Sequence, residues 1–324
     1  MTGPTDGRLA VNPATAEPAT AARLADLLGI GVTAVSGLGG QHGVSHYRLT
    51  LADGRSAFAK IQDQDHAGNE AVRPAAVLRA AAAARTARAH GAGFAAEAAG
   101  LRWLAGADAA PVPGVLASDE TCLVIDWIDG GTPAPGAAAR FGRELAGLHM
   151  AGADRFGAPW PGVIAGLPLP NTQADSWPEW FAANRLLPYA RIARDAGTLS
   201  TADARLVESA AARSPELAGP AEPPSRIHGD CWSGNVLWSG GRGWLIDPAA
   251  HGGHRETDLA MLTLFGAPHE DEIIAGYTET APLADGWRAR VPLHQLHPLL
   301  VHVCLFGTAY RDAALSAARA VLSA

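Results

Sequence analysis

The chain has 324 residues, 48% of them hydrophobic and 18% charged, enough to bury a sizeable core in one large domain or two lobes. Lys plus Arg number 25 against 32 Asp plus Glu, and the net charge of −7 speaks against a general polyanion binder, so no nucleic-acid partner is expected. The three cysteines, Cys122, Cys231 and Cys304, show no CxxC spacing, and neither a signal-peptide core nor an apolar run of about 18 residues occurs, so a cytoplasmic protein with no membrane partner is expected.

Residues 1–19 are rich in Pro, Ala, Thr and Gly without periodicity and read as a flexible N-terminus, with structure starting at the helix suggested by ATAARLADLLG. VTAVSGLGGQHGVSHYRLTLADGRSAFAKIQ reads as an antiparallel β-meander: two strands joined by a glycine-rich turn, a hairpin at Ala52-Asp53-Gly54, and a third strand ending at Lys60. Residues 63–93, polar and then Ala-rich with few large apolar side chains, read as an insertion. In FAAEAAGLRWLAGADA, Phe94, Leu101 and Leu104 recur at helical spacing, Pro111 and Pro113 end that pattern, and CLVIDWID reads as a buried strand. Residues 130–136 form a Gly- and Pro-rich linker, after which the pattern is mostly helical, interrupted by short strands in IHGD, VLW and WLID. The expected class is α+β in two lobes: a small antiparallel-sheet lobe over residues 20–129 and a helical lobe over 130–324.

Chemistry concentrates between His228 and Asp258. Phosphoryl transfer needs a carboxylate to orient the attacking hydroxyl and take its proton, together with oxygen ligands for a hard cation such as Mg²⁺. HGDCWSGN sets Asp230 and Asn235 five residues apart in an HxDxxxxN pattern, and Asp247 follows in WLID. Taken singly, an Asp beside Gly is more often a turn former and an Asn before a strand a cap, but the joint spacing favours a catalytic base with two metal ligands.

HGDCWSGNVLW, IDPAAHGGHRETDLAMLTLFG, NTQADSWPEWFAANRLLP and a final helix, PLHQLHPLLVHVCLFG, resemble segments of the fructosamine kinase (ketosamine kinase) family, within the aminoglycoside-phosphotransferase-like branch of the protein-kinase-like fold. The resemblance spans roughly residues 36–60 and 94–322. It implies a two-lobe kinase fold and transfer of the ATP γ-phosphate to the 3-hydroxyl of a ketosamine, a deglycation role, with ATP and Mg²⁺ as cofactors. Asp230 is then the proton acceptor, Asn235 and Asp247 bind Mg²⁺, and Lys60 contacts the ATP phosphates. Gly39 and Gly40 belong to a loop over those phosphates, and the backbone of Asp126, Trp127 and Ile128 meets adenine. Lys60 alone reads equally well as a snorkelling surface lysine. Its implied partner is Glu97, 37 residues on, with Glu70 as the alternative.

Trp232, on a loop otherwise made of small and polar residues, is a candidate floor for a sugar ring or an amino-acid side chain, with His228 and Glu256 also placed at the substrate. Within His254-Arg255-Glu256 and Asp258, ordering of the catalytic loop competes with substrate contact. His251 and Gly252 stand where the family has aromatic residues, as do His294 and His297 in the C-terminal helix, and His294, His297 and His302 read as polar points of a partly buried helix rather than metal ligands. The alternatives are a kinase acting on another hydroxyl or amine compound such as an aminoglycoside, and a nucleotide-binding protein without catalysis.

Overall fold

The computed structural model describes residues 18–41, 43–63 and 88–324. Most of the Ala-rich segment and Glu70 lie outside those residues. After helix α1 (Pro18–Leu28), strands β1 (Val32–Gln41), β2 (Val44–Leu51) and β3 (Ser56–Gln62) pair in succession, and β4 (Val115–Ser118) and β5 (Cys122–Asp126) complete an antiparallel five-stranded sheet in the order β1-β2-β3-β5-β4. The β2–β3 turn forms because Asp53 accepts the Arg55 amide at 3.0 Å and Gly54 takes a positive φ of 85°.

Alternation along β3 divides its side chains. Ala57, Ala59 and Ile61 join the core beneath α1, while Phe58 packs towards helix α2 (Arg88–Ala105), whose Phe94, Ala98 and Leu101 cover Leu123 and Ile125 of β5. Lys60 lies on the Phe58 side of the sheet and two residues short of the strand end, not at it. Strand β4 has no counterpart in the sequence pattern: Pro113 and Gly114 precede only four strand residues, too short a run to show a period.

Helix α3 (Ala137–Met150) opens the helical part, followed by the hairpin β6 (Gly162–Ile164) and β7 (Leu167–Leu169). Helix α4 (Trp177–Phe181) widens into a π turn at Ala182–Leu186 before α5 (Leu187–Asp195), and α6 (Thr201–Ala212) starts at a capping box in which Ser200 and Asp203 hydrogen-bond each other's backbone. Short helix α7 (Ser214–Leu217) leads to β8 (Ser225–Ile227), β9 (Val236–Ser239), β10 (Arg242–Leu245) and β11 (His251–Gly253), where β9 pairs with β10 and β8 with β11. Helices α8 (Glu256–Leu264), α9 (Glu270–Thr280), α10 (Trp287–Phe306) and α11 (Arg311–Ser323) close the chain. The helix expected to be final is α10, and α11 packs behind it through Ala314, Leu315 and Ala318.

Two glycines decide how close α3 and α9 come. A Cβ on Gly142 would sit 2.0 Å from the Ile273 carbonyl oxygen, and one on Gly276 would sit 2.0 Å from the Ala139 carbonyl oxygen. Backbone, not a flexible side chain, is the obstacle at both places. Gly276→Ala is expected to cost about 2–4 kcal/mol in urea unfolding, because the helices must separate and open the core around Phe141 and Leu145.

Buried histidines make this region acid-sensitive. Burial first, and then the Arg185 charge, pushes His251 down to about 3, and burial with the neighbouring His294 does the same to His254. The unfolded chain takes up these protons near the ordinary 6.5 while the folded chain does not, so stability is fully present above that pH and is lost as pH falls from 6.5 towards 3. The unfolding midpoint should therefore be flat from about pH 7 to 8 and fall steadily below about 6.5.

Candidate active site

Lys60 is the hub of the cleft between sheet and helices. The residue is only 8% exposed, and its ammonium donates to both Glu97 oxygens at 2.8 and 3.0 Å and to Asp247 Oδ1 at 2.7 Å. Glu97 reaches it because residues three and four apart share a helix face: Phe94 and Leu101 bury against the sheet and carry Glu97 with them. Burial pulls the Lys60 pKa down, but the two carboxylates outweigh it and hold the ammonium above its usual range. The same cation holds Asp247 below the usual carboxylate range against the opposing effect of its burial.

Asp247 follows β10 with a φ of 53°, a left-handed conformation that Asp tolerates better than most residues and that aims its carboxylate at Lys60. The neighbouring loop brings Asn235 next to Asp230. The Asn235 amide donates to the Asp230 backbone oxygen at 2.9 Å and to its carboxylate at 3.0 Å. Burial, with the nearby charges of Asp247 and Asp258, raises Asp230 to about 7 against that hydrogen bond. A half-buried carboxyl raised in this way is suited to accept a proton.

The donor set matches a hard divalent cation. With its NH₂ group committed to Asp230, Asn235 keeps its carbonyl oxygen for a ligand, and Asp247 is ionised. Oxygen donors without thiol or imidazole suit Mg²⁺ and a triphosphate rather than a transition metal.

The loop that carries Asp230 and Asn235 is anchored from behind by Asp258, which is fully buried. Its Oδ2 accepts the His228 amide at 2.7 Å and its Oδ1 the Gly229 amide at 2.9 Å, and His149 Nε2 lies 3.1 Å from Oδ2. Asp258 stays ionised because these donors, His149 foremost, outweigh its burial. His149 in turn meets the Tyr277 hydroxyl at 2.8 Å, so α3 and α9 converge on the loop. Gly229 is required there, since a Cβ would lie 2.3 Å from the Ala249 carbonyl oxygen.

His228 and Glu256, both expected at the substrate, are not available to one. His228 is fully enclosed: its Nε2 donates to the Ile246 carbonyl at 2.9 Å, which leaves Nδ1 to accept the Asp230 amide at 3.3 Å. It shapes the loop. Glu256 is 1% exposed and paired with Arg290 at 2.5 and 2.8 Å, and after the opposing effect of burial that guanidinium holds it down at about 2. Arg255 is held by Glu222 at 2.7 Å. His294 lies beside Glu256, His297 against Tyr189, and His302 on a more open face.

The glycine-rich segment is also corrected in shape. Gly39 and Gly40 lie within strand β1 rather than in a loop, and the reversal falls beyond Gln41. Gly40 is needed because a Cβ would sit 2.4 Å from the Val44 carbonyl oxygen. At the other edge of the cleft, strand pairing ends at Asp126, whose amide donates to the Gly114 carbonyl at 2.9 Å. Beyond it, Trp127 packs beneath the Arg48 guanidinium at 4.4 Å and Ile128 is half-buried, so these two residues carry the chain out of the sheet. Trp232 stands open beside Asp230, 38% exposed.

A small antiparallel sheet over a helical lobe, with a Lys–Glu pair at the cleft and an Asp-Asn loop facing it, defines a protein-kinase-like fold. The aminoglycoside phosphotransferase APH(2'')-Ib, solved with ADP, shares that fold at a TM-score of 0.56 and 12% identity, covering 95% of this chain and 97% of its own. The chain belongs to the fructosamine kinase family, whose model matches residues 81–324. A Thermobifida fusca protein solved under the provisional name fructosamine-3-kinase is 48% identical, with a TM-score of 0.84 over 95% of this chain and all of its own. A Synechocystis protein provisionally named ketoamine kinase is 34% identical over 228 residues, 68% of this chain and 76% of its own.

Replacing Glu97 by Gln should leave the Lys60 ammonium held by Asp247 alone. A drop of roughly tenfold or more in kcat/KM for ATP is expected in steady-state kinetics, with the fold retained by circular dichroism.

Proposed function

We propose that this protein transfers the γ-phosphate of ATP to the 3-hydroxyl of a ketosamine. The observation that carries the reading is the pairing of Asp230 with Asn235 and of Lys60 with Glu97 and Asp247 by hydrogen bonds of 2.7–3.0 Å, with the Ile246 amide on the Asn235 carbonyl at 3.0 Å bringing the two groups together. In that reaction the acceptor oxygen forms a bond to the γ-phosphorus while the bond to the β,γ-bridging oxygen breaks, and the bridging oxygen keeps its electron pair and leaves with ADP. Asp230 receives the hydroxyl proton. Lys60 offers its ammonium to the phosphate oxygens, and Glu97 keeps it in place. Mg²⁺, when bound by Asn235 and Asp247, would neutralise charge on the triphosphate. Trp127 and Ile128, past the end of the strand pairing, supply backbone groups for adenine, and β1 with Gly39 and Gly40 lies over the phosphates.

The acceptor reading rests on family membership and on Trp232, an exposed aromatic side chain two residues from Asp230. A phosphate on the 3-oxygen leaves more readily than hydroxide: once the carbon bearing the amine loses a proton, the C3–O bond breaks with its electron pair going to phosphate, and water hydrolyses the imine that remains to a free amine and a 3-deoxy dicarbonyl, which is a repair role. Three free, buried cysteines fit a reducing cytoplasm.

Incubation with ATP, Mg²⁺ and fructosyl-lysine, ribosyl-lysine or an aminoglycoside, with the phosphorylated carbon assigned by ³¹P-coupled NMR, tests the reading directly. Phosphate on the ketosamine 3-oxygen is expected, and phosphorylation of the aminoglycoside alone would overturn it. Asp230→Asn should lower kcat by roughly 10²-fold or more while nucleotide binding by calorimetry stays near the parent value, because only the chemical step loses its base.

A further inference from the structure

Among the described residues, five large hydrophobic side chains are exposed: Leu38, Met150, Trp232, Phe265 and Phe306. Three of them belong to one run of rings that starts two residues from Asp230. Trp232 meets Phe265 edge-on with centroids 6.1 Å apart, Phe265 meets His302 at 5.0 Å, and His302 meets Phe306 at 5.4 Å and Tyr310 at 4.7 Å. The run crosses from the catalytic loop over the end of α8 to the last turn of α10 and the 3₁₀ turn Gly307–Tyr310. His302 is pinned within it, because its Nδ1 donates to the Pro298 carbonyl at 2.7 Å.

Aromatic side chains in contact at the surface form an apolar strip, and such strips mark binding sites. Its start at the base sets the occupant. In a ketosamine the amine nitrogen stands a short carbon chain from the 3-hydroxyl, so with that hydroxyl at Asp230 the nitrogen lies near Trp232 and its substituent continues outward along the rings. The ammonium suits the Trp232 ring, and the substituent beyond it has the rings of Phe265, His302, Phe306 and Tyr310 along its path.

Resting on the ketosamine reading, we propose that Trp232, Phe265, His302, Phe306 and Tyr310 form the subsite for the group borne on the acceptor's amine, and that it selects aromatic or large apolar groups over small ones. Phe306 and Tyr310 are its outer end and act only on acceptors long enough to reach them.

The test compares kcat/KM for the N-fructosyl tetrapeptides Phe-Tyr-Phe-Tyr and Gly-Ser-Gly-Ser, which carry the same sugar and are long enough to reach Phe306, in the parent protein and in the Phe306→Ala and Phe265→Leu variants, with mass measured by light scattering. The parent is expected to favour the aromatic acceptor by roughly tenfold or more, and Phe306→Ala to bring the ratio down severalfold with the KM for ATP unaltered. Equal efficiency with both acceptors, or a ratio that neither variant alters, overturns the subsite and leaves the ketosamine reading standing. A dimer that falls to monomer in Phe306→Ala with the ratio intact also overturns it and assigns the strip to a second copy. Phosphorylation of neither ketosamine overturns the acceptor reading, and the subsite with it.

Discussion

Lys60 is an ammonium nearly stripped of water, and it is kept charged by two carboxylates that come from different parts of the chain. Glu97 lies 37 residues away on a helix and Asp247 lies 187 residues away on a turn. Removing either partner of the buried Lys60–Glu97 pair leaves the other uncompensated, at a cost of about 3–5 kcal/mol, and the further bond to Asp247 ties sheet, helix α2 and the β10 turn together. The same contact sets the charge of the cleft. An ionised Asp247 and a cationic Lys60 side by side are what a metal-bound triphosphate requires.

A second constraint lies behind the loop that carries Asp230 and Asn235. Asp258 collects the amides of His228 and Gly229 and the imidazole of His149, and the Tyr277 hydroxyl closes the chain. Without Asp258, two buried N–H groups would lack partners, which is costly in a site shielded from water. The α3–α9 contact belongs to this arrangement, since α3 carries His149 and α9 carries Tyr277. Gly142 and Gly276 thus serve the loop by permitting an approach that any side chain would block.

Aromatic rings play a different part. Those of Trp177 and Phe181 stack at 4.7 Å inside the helical core, with His294 stacked on Trp177 at 4.8 Å, and they hold buried imidazoles that stay neutral. Those from Trp232 to Tyr310 face outward. One set stabilises the fold and the other is free to bind, although His294 and His302 lie eight residues apart on the same helix.

Much of the architecture was legible in local pattern. Period-two alternation and Asp53-Gly54 marked the β-meander, the spacing of Phe94, Leu101 and Leu104 marked α2, and HGDCWSGN with Asp247 marked the chemistry, because hydrogen-bonding turns and metal ligands need particular residue types at short separations. Four-residue β4 was too short to show a period, and GLGGQ, which reads as a loop, is strand because β2 pairs with it along its length. By itself the sequence determined the kinase-like class and the family, and it singled out the residues proposed for the reaction. Only the tertiary structure decided that Glu97 meets Lys60, that His228 and Glu256 are enclosed by Ile246 and Arg290, and that Trp232 continues into Phe265 and His302. Those contacts join residues far apart in the chain, and burial and pairing at such distances are set by packing, which no local spacing encodes.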